Sequence, residues 1–100
     1  TIALYKDEWI IGFAGIKFID NSNKAHIAQI YIDKDRRGED CKEFLIKEIE
    51  KIAIKENVNK LIITAMRKDE LSQELYKKLR FKEIGIVGNK INFEKVFFMN

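Results

Sequence analysis

Two arginines and a glycine lie between a stretch that reads as a strand and one that reads as a helix. The strand is the apolar, β-branched run 25–32, and the helix begins near Cys41. A strand that turns into a helix brings backbone N–H groups and the positive end of the helix dipole to one point, which attracts phosphate. Arg36 and Arg37 lie just before that point, and a guanidinium is well shaped for phosphate oxygens. The spacing therefore predicts an anion site that includes Gly38.

The elements that position this loop can be read from hydrophobic periodicity. Apolar runs bounded by turn residues predict three strands before the helix and three after it, with a second helix among the latter. Strand, helix and strand across residues 25–66 form a right-handed crossover, so those two strands run parallel. The sequence predicts a mixed α/β (α+β) fold in the order β-β-β-α-β-α-β-β, with a mostly antiparallel sheet around the crossover. The predicted strands are residues 2–5, 9–18, 25–32, 60–66, 83–87 and 91–99.

Each predicted helix carries an apolar stripe that should face the sheet. Asp69 is a favourable N-cap for the second helix, because its carboxylate can accept from a free N–H of the first turn. The stripe of the first helix comprises Cys41, Leu45, Ile49, Ile52 and Ala53. The stripe of the second comprises Leu71, Leu75 and Leu79.

Length and composition limit the classes of function. A chain of 100 residues that is 46% hydrophobic can build one core, so we expect residues 1–100 to form a single domain. The net charge of +3 comes from lysines scattered among acids, with no basic stripe and interleaved aromatics, so we expect no nucleic-acid partner. One cysteine excludes an internal disulfide, and one cysteine with one histidine argues against a structural zinc site.

The chain shows no targeting segment that we can recognise. Its longest apolar run, residues 9–16, is far shorter than the roughly 20 residues of a membrane span, so we expect no membrane partner. No signal peptide is recognisable, and elimination leaves the cytoplasm as the expected compartment. Thr1 is not a start methionine and a strand pattern follows it directly, so we expect processing or a longer parent protein.

Two motifs give the chain a family resemblance. Residues 37–42 read RGEDCK, and the strand and helix around them are those that flank the pattern Gln/Arg-x-x-Gly-x-Gly/Ala. Residues 69–81 read DELSQELYKKLRF and align with the pattern Asn-x-x-Ala-x-x-Leu-Tyr-x-x-x-Gly-Phe. With this order of elements, the chain resembles the GNAT superfamily of N-acetyltransferases over essentially its whole length. The usual first strand and first two helices of that superfamily are missing from this sequence.

The resemblance implies acetyl-CoA as co-substrate and no metal. Backbone groups of Ile30 and Ile32 would pair with the pantetheine arm, and an N–H near Ile32 would polarise the thioester carbonyl as negative charge builds on it. Backbone N–H groups of residues 38–43 would hold the pyrophosphate beside the two arginines. The implied cofactor-binding residues are Ile30, Tyr31, Ile32, Arg36, Arg37, Gly38, Glu39, Asp40, Cys41, Lys42 and Glu43.

The implied reaction is direct attack of a primary amine on the thioester, without a covalent enzyme intermediate. Tyr76 matches the superfamily tyrosine that protonates the departing thiolate, and an ordinary phenol pKa of about 10 suits that role. The alternative for Tyr76 is a packing role beside Leu75. His26 matches a position where some members have a glutamate that deprotonates the amine, which an imidazole can also do near neutral pH. The alternative for His26 is a half-buried strand histidine without chemistry.

Two neighbouring polar residues are weaker candidates. Gln29 cannot act as a base and could only orient a water or a substrate. Cys41 lies near a helix start, where a thiolate is favoured. We interpret Cys41 as a small side chain that fills a variable motif position, rather than as a nucleophile.

The loop and the cap of the second helix depart from the motifs. Asp40 and Lys42 replace small residues that let backbone N–H groups approach a pyrophosphate. A carboxylate at position 40 would repel phosphate by ~1 kcal/mol or more at about 4 Å, which Lys42 and the two arginines could offset. Arg80 replaces the glycine before Phe81 and should alter the helix cap. These departures leave an alternative function, a catalytically degenerate GNAT-fold binding or regulatory module.

The acceptor and the oligomeric state are less constrained. The resemblance implies a small-molecule or protein amine as acceptor. Superfamily members often dimerise, and the aromatic residues of the last two strands could contribute to a homodimer contact. Core packing explains these aromatics equally well. They are Phe93, Phe97 and Phe98.

Overall fold

The computed structural model describes residues 2–6, 9–19, 23–32 and 39–97. Its six strands and two helices follow the predicted order. The end of the predicted last strand, residues 98 and 99, lies outside the described residues. The elements are β1 (Ile2–Lys6), β2 (Trp9–Phe18), β3 (Lys24–Ile32), α1 (Glu39–Lys55), β4 (Lys60–Met66), α2 (Glu70–Lys78), β5 (Lys82–Val87) and β6 (Lys90–Val96).

The strands form one sheet in the spatial order β1-β2-β3-β4-β6-β5. β1, β2 and β3 form an antiparallel meander, and β6 pairs antiparallel with both β4 and β5. Among the described strands the β3–β4 pair alone is parallel, and α1 is the crossover between these two strands. The predicted mixed fold, a mostly antiparallel sheet around a central crossover, is therefore confirmed.

Gly12 lets β2 approach β3 closely. A Cβ atom at this position would lie 2.8 Å from the Tyr31 carbonyl oxygen and 2.8 Å from Cδ1 of Ile32. The register of the same two strands shifts between Gly15 and Ile16, an irregularity that increases the local twist. Both features lie opposite the C-terminal half of β3, which is the half that is not paired with β4.

The core lies between α1 and the sheet. Leu45, Ile49 and Ala53 of the predicted α1 stripe are fully buried, and Cys41 and Ile52 are half-buried. α1 contacts β1, β2 and β3. The remaining large, fully buried side chains come from α1, β4 and β6: Ile46, Leu61, Ile63 and Phe93.

The predicted stripe of α2 is wrong at its first position. Leu71 is 70% exposed, whereas Leu75 and Leu79 are buried. A strict repeat of four residues drifts around a helix that has about 3.6 residues per turn. The buried face instead combines Leu75 and Leu79 with Ser72 and Tyr76. Ser72 and Tyr76 are one turn apart and therefore share this face.

The ends of α2 explain two further sequence features. Asp69 is the N-cap as predicted, and its Oδ1 accepts from the Ser72 N–H at 3.1 Å. At the C-terminal end, Arg80 has a φ of 73° and the Phe81 N–H donates to the Tyr76 carbonyl at 2.9 Å. This left-handed cap normally carries glycine, and a larger residue there costs about 1 kcal/mol. Arg80 thus retains the cap at a cost in stability.

Candidate active site

The parallel strands β3 and β4 separate soon after they meet. Their pairing covers only Lys24 with Lys60, Ala25 with Leu61 and His26 with Ile62. Beyond this point β3 remains paired with β2, and β4 remains paired with β6 along its whole length. The two halves of the sheet therefore diverge, and a cleft opens between them.

This cleft has a volume of about 520 Å³ and is lined from both sides. We call its sheet side the strand wall, which comprises His26, Ile30, Thr64 and Asn92. We call its other side the helix wall, which comprises Lys42, Asp69, Ser72 and Tyr76. The two residues predicted to act as base and acid, His26 and Tyr76, thus face one cleft from opposite walls.

A second cleft of about 660 Å³ lies at the other end of the β3–β4 pair. Asparagines, lysines and two apolar residues line it, and the described part of its lining contains no histidine, carboxylate or tyrosine. The cleft between the strand and helix walls is therefore the better candidate for acid–base chemistry.

A hydrogen-bonded chain organises the strand wall. The Thr64 hydroxyl donates to Oδ1 of Asn92 at 2.7 Å, and Nε2 of His26 lies 3.4 Å from the same hydroxyl. A threonine hydroxyl has a single proton, and here it goes to Asn92. With that proton on Asn92, the neutral imidazole can bond to the hydroxyl only by donating from Nε2, which leaves its lone pair on Nδ1.

The surroundings of His26 favour its neutral form. Burial lowers its pKa from the ordinary value of 6.5, and the positive charge of Lys17 lowers it further. Lys17 is the partner of His26 across the β2–β3 pair. A neutral imidazole near pH 7 can accept a proton, which is the property that a general base needs.

Tyr76 is almost fully buried in the helix wall. It is 3% exposed, and its ring packs edge-on against Phe93 with centroids 5.6 Å apart. Burial raises its pKa to about 12, the negative charge of Asp69 acts in the same direction, and a hydrogen bond with Ser72 opposes both. The phenol therefore stays protonated through the whole neutral range.

Lys42 extends from α1 into the cleft. Its Nζ donates to Oγ of Ser72 and lies 5.0 Å from the centre of the Tyr76 ring. Ser72 in turn donates from Oγ to Oδ2 of Asp69 at 2.6 Å. Burial lowers the pKa of Lys42, and the negative charge of Asp69 opposes that shift. The sequence argument assigned Lys42 to the pyrophosphate, and in the structure its ammonium joins α1 to α2.

The other predicted cofactor residues of β3 and α1 differ in exposure. Ile30 lines the cleft, Ile32 is buried, and Tyr31 is half-exposed and stacks on Phe13 with ring centroids 5.2 Å apart. Glu39 and Asp40 are the first two residues of α1. Cys41 and Glu43 follow them in the first turn and are half-buried, and Cys41 packs against the core. This packing agrees with the interpretation of Cys41 as a filler.

Arg36, Arg37 and Gly38 lie outside the described residues. Within residues 2–6, 9–19, 23–32 and 39–97, no group of three or more His, Cys, Asp or Glu side chains is arranged to hold a metal ion. Neither α1 nor α2 is long and apolar enough to cross a membrane.

Comparison with known proteins agrees with the motif analysis. The sequence profile of the acetyltransferase (GNAT) family matches residues 1–81. The chain belongs to the GNAT family. Its fold and the resemblance stated from the two motifs are thereby confirmed. No curated protein sequence gives a significant match.

Solved GNAT structures resemble the chain closely in backbone and weakly in sequence. The PaiA N-acetyltransferase of Thermoplasma acidophilum, solved with coenzyme A, has a TM-score of 0.87 at 25% identity over 95% of this chain. The ribosomal-protein-S18-alanine N-acetyltransferase of Escherichia coli has a TM-score of 0.89 at 18% identity over 98% of this chain. An acetyltransferase of Bacillus subtilis, solved with CoA, has a TM-score of 0.83 at 12% identity over 94% of it.

The GNAT chain described here is shorter than these structures. It spans 58% of the Thermoplasma protein, 68% of the Escherichia coli protein and 74% of the Bacillus subtilis protein. At least 94% of this chain is covered in each comparison.

Sequence reasoning did not place Thr64, Asn92 or Ser72 in the cleft. Thr64 and Asn92 come from strands whose register with His26 cannot be read from local pattern. Ser72 could have been found, because it lies four residues before Tyr76 and so shares its helix face. The misplaced Leu71 stripe concealed this relation.

Proposed function

We propose that the protein is an N-acetyltransferase that moves an acetyl group from acetyl-CoA directly to a primary amine of a small molecule or a protein. The observation that best supports this is the presence of His26 and Tyr76 on opposite walls of one cleft. Aminolysis of a thioester needs a base for the proton that leaves the amine and a donor for the departing thiolate. The cleft offers one group of each kind.

The residues of the cleft suit the co-substrate. Acetyl-CoA supplies an acetyl group activated as a thioester at the end of a long pantetheine arm. Ile27, Ile30, Ile63 and Ala65 give the cleft an apolar lining for such an arm. Beyond His26, β3 has left β4, so its edge faces the cleft rather than a strand. The first turn of α1 is suited to a pyrophosphate.

In this proposal His26 is the general base. Its Nδ1 lone pair accepts a proton from the attacking amine, and the resulting positive charge is partly supported by the Nε2–H bond to Thr64. An amine that is held next to a neutral imidazole can lose its proton as the new bond forms. His26 works in this role only while it is unprotonated, that is, above its lowered pKa.

In this proposal Tyr76 serves the departing thiolate. With a pKa of about 12 the phenol is a protonated donor at every physiological pH, and a weaker acid than an ordinary tyrosine. Its first contribution is therefore a hydrogen bond to the sulfur as negative charge develops there.

One observation supports the alternative function. The Lys42 ammonium occupies part of the cleft, where the superfamily pattern has glycine or alanine. A cleft that is blocked in this way would suit a GNAT-fold module that binds or regulates without catalysis.

The first experiment is a calorimetric titration of the folded protein with acetyl-CoA, with CoA as a second ligand. We expect micromolar binding, which corresponds to about −8 kcal/mol. Titration would be followed by a panel of amines, with thiol release and product mass as readouts. Absence of binding up to about millimolar concentration in a folded sample would favour the non-catalytic module.

Tyr76→Phe then tests the chemistry. The change removes only the hydroxyl, so we expect turnover to fall by about 10- to 1,000-fold while the Kd for acetyl-CoA is retained. Leu71→Ala is a matched control on the same helix, because Leu71 is exposed and does not line the cleft. Wild-type turnover in Tyr76→Phe would contradict the role of the tyrosine.

A further inference from the structure

The helix wall contains a continuous polar bridge between α1 and α2. The ammonium of Lys42 donates to the hydroxyl of Ser72, and this hydroxyl donates to the carboxylate of Asp69 at 2.6 Å. The other carboxylate oxygen of Asp69 is held by the Ser72 N–H at 3.1 Å. Ammonium, hydroxyl and carboxylate thus form one chain along the helix wall, which we call the Lys42 bridge.

The three members of the Lys42 bridge are all departures from the family motifs. The quoted patterns have glycine or alanine at position 42, asparagine at 69 and alanine at 72, and this chain has Lys42, Asp69 and Ser72. Lys42 and Ser72 are 30 positions apart in sequence, yet their polar atoms meet. Neither glycine nor alanine could form either end of this contact. The departures therefore act together as one feature of the cleft.

The position of the ammonium determines what it can affect. Lys42 Nζ lies 5.0 Å from the centre of the Tyr76 ring, within the range of a cation–π contact. A thioester whose sulfur reaches the Tyr76 phenol comes close to this ammonium, because both side chains line the cleft. The ammonium leaves this position only for another anionic partner, because it would otherwise give up its contact with Ser72 and the nearby carboxylate of Asp69. An incoming ligand has to compensate for that loss.

We propose that the Lys42 bridge determines which acyl thioesters enter the cleft, because it yields to a ligand that carries phosphate and excludes a neutral one. This inference rests on the proposed function. The backbone of Lys42 lies in the first turn of α1, where a pyrophosphate would bind, and its flexible side chain reaches into the cleft. The same ammonium can therefore leave Ser72 and pair with the pyrophosphate of acetyl-CoA. S-acetylpantetheine has the same arm without phosphates and offers the ammonium no such partner.

Two variants and two ligands test this proposal by calorimetry. Ser72→Ala restores the family residue and releases Lys42 while its charge is kept. We expect both acetyl-CoA and S-acetylpantetheine to bind more tightly, by about tenfold, which is equivalent to about 1.4 kcal/mol. Lys42→Ala removes the ammonium, which in this proposal both excludes a neutral ligand and pairs with phosphate. We expect it to bind S-acetylpantetheine about tenfold more tightly and acetyl-CoA with little change, so the preference for acetyl-CoA falls about tenfold.

Lys47→Ala is the matched control. Lys47 is also on α1, and its contact is an exposed ion pair with Glu43 at 3.9 Å, outside the cleft. We expect this variant to bind both ligands as the wild type does. Circular dichroism and thermal unfolding check that each variant is folded.

The outcomes separate the failure of this inference from the failure of the proposed function. If acetyl-CoA binds the wild type, but Lys42→Ala still rejects S-acetylpantetheine and Ser72→Ala binds no more tightly, the Lys42 bridge is not a selectivity element. If Lys42→Ala weakens acetyl-CoA with no gain for the neutral ligand, Lys42 is a phosphate ligand only. If no variant binds either ligand, the proposed function fails and the inference fails with it.

Discussion

The two walls of the cleft are built on different principles. In the strand wall, His26, Thr64 and Asn92 are held in line by the pairing of β3 with β4 and of β4 with β6. Their contacts join uncharged groups at neutral pH. In the helix wall, a cation and an anion are joined through one hydroxyl between two separate helices. One wall is fixed by backbone register, and the other is held by side chains.

This difference indicates which wall can change its conformation when a ligand enters the cleft. A strand residue moves only if several backbone hydrogen bonds move with it, so the imidazole is preorganised. α1 and α2 share a side-chain ion pair between Glu43 and Lys78 at 3.4 Å. Lys78 is largely exposed, and exposed pairs contribute at most about 1 kcal/mol. We therefore expect chemistry to depend on the strand wall and ligand entry to depend on the helix wall.

The largest expected effect concerns the base of the strand wall. His26→Gln keeps a polar side chain but cannot accept a proton, so we expect turnover at pH 7 to fall by about 100-fold or more. In the wild type, turnover should fall as the pH drops through the lowered pKa of His26, below the ordinary 6.5. This acidic limb should be missing in His26→Gln. A variant that retains the limb would show that another group is the base.

The burial of Tyr76 in the helix wall predicts a change in stability at high pH. Its pKa is about 12 in the folded chain, against about 10 when the chain is unfolded. The unfolded chain therefore loses this proton first, so the stabilisation is complete below pH 10 and is lost as the pH rises towards 12. The total corresponds to about 2–3 kcal/mol.

Urea unfolding between pH 8 and 11.5 measures this effect. Tyr76→Phe serves as the reference, because it keeps every other ionisable group, including the other two tyrosines and all lysines. We expect the free energies of unfolding of the two chains to diverge with pH, with the wild type falling more steeply. Parallel curves would mean that Tyr76 is less buried than the contacts of its ring indicate.

The fold and half of the cleft could be predicted from the sequence, for identifiable physical reasons. Period-two runs and the α1 stripe reflect burial that is decided locally, so the order of elements was predictable. His26 and Tyr76 were identified because each matches a position that is defined relative to one of the two family motifs. Thr64 is 38 positions from His26 and 28 from Asn92, so only the register of three strands brings them together. The alternation of apolar residues decides which face a side chain takes, but it does not specify which residues of distant strands become neighbours.

The helix wall was less predictable because it depends on long side chains. Position 42 could be identified as a departure, but whether its ammonium pairs with a pyrophosphate or with Ser72 is a choice between conformers of one lysine. Ser72 was hidden for a different reason, since the repeat of Leu71, Leu75 and Leu79 indicated the wrong helix face. Polar contacts between two helices follow from tertiary packing rather than from either helix alone.

The smallest expected effect would show whether the strand wall is truly preorganised. Thr64→Val keeps the shape of the side chain and removes its hydroxyl, so Nε2 of His26 loses its acceptor and the imidazole can adopt either tautomer. Only the tautomer with its lone pair on Nδ1 suits the proposed base, so we expect turnover to fall by about tenfold while KM is unchanged. Thr64→Ser retains the hydroxyl and should behave as the wild type.

The tautomer itself can be observed. His26 is the only histidine in the sequence, so its ring nitrogens give unambiguous NMR signals. We expect a protonated Nε2 in the wild type and in Thr64→Ser, and a mixture in Thr64→Val. A wild type that carries its proton on Nδ1 would mean that the Thr64 hydroxyl donates to His26 instead of to Asn92. The imidazole would then carry its lone pair on Nε2 instead of Nδ1. The strand wall would not be preorganised for the proposed base.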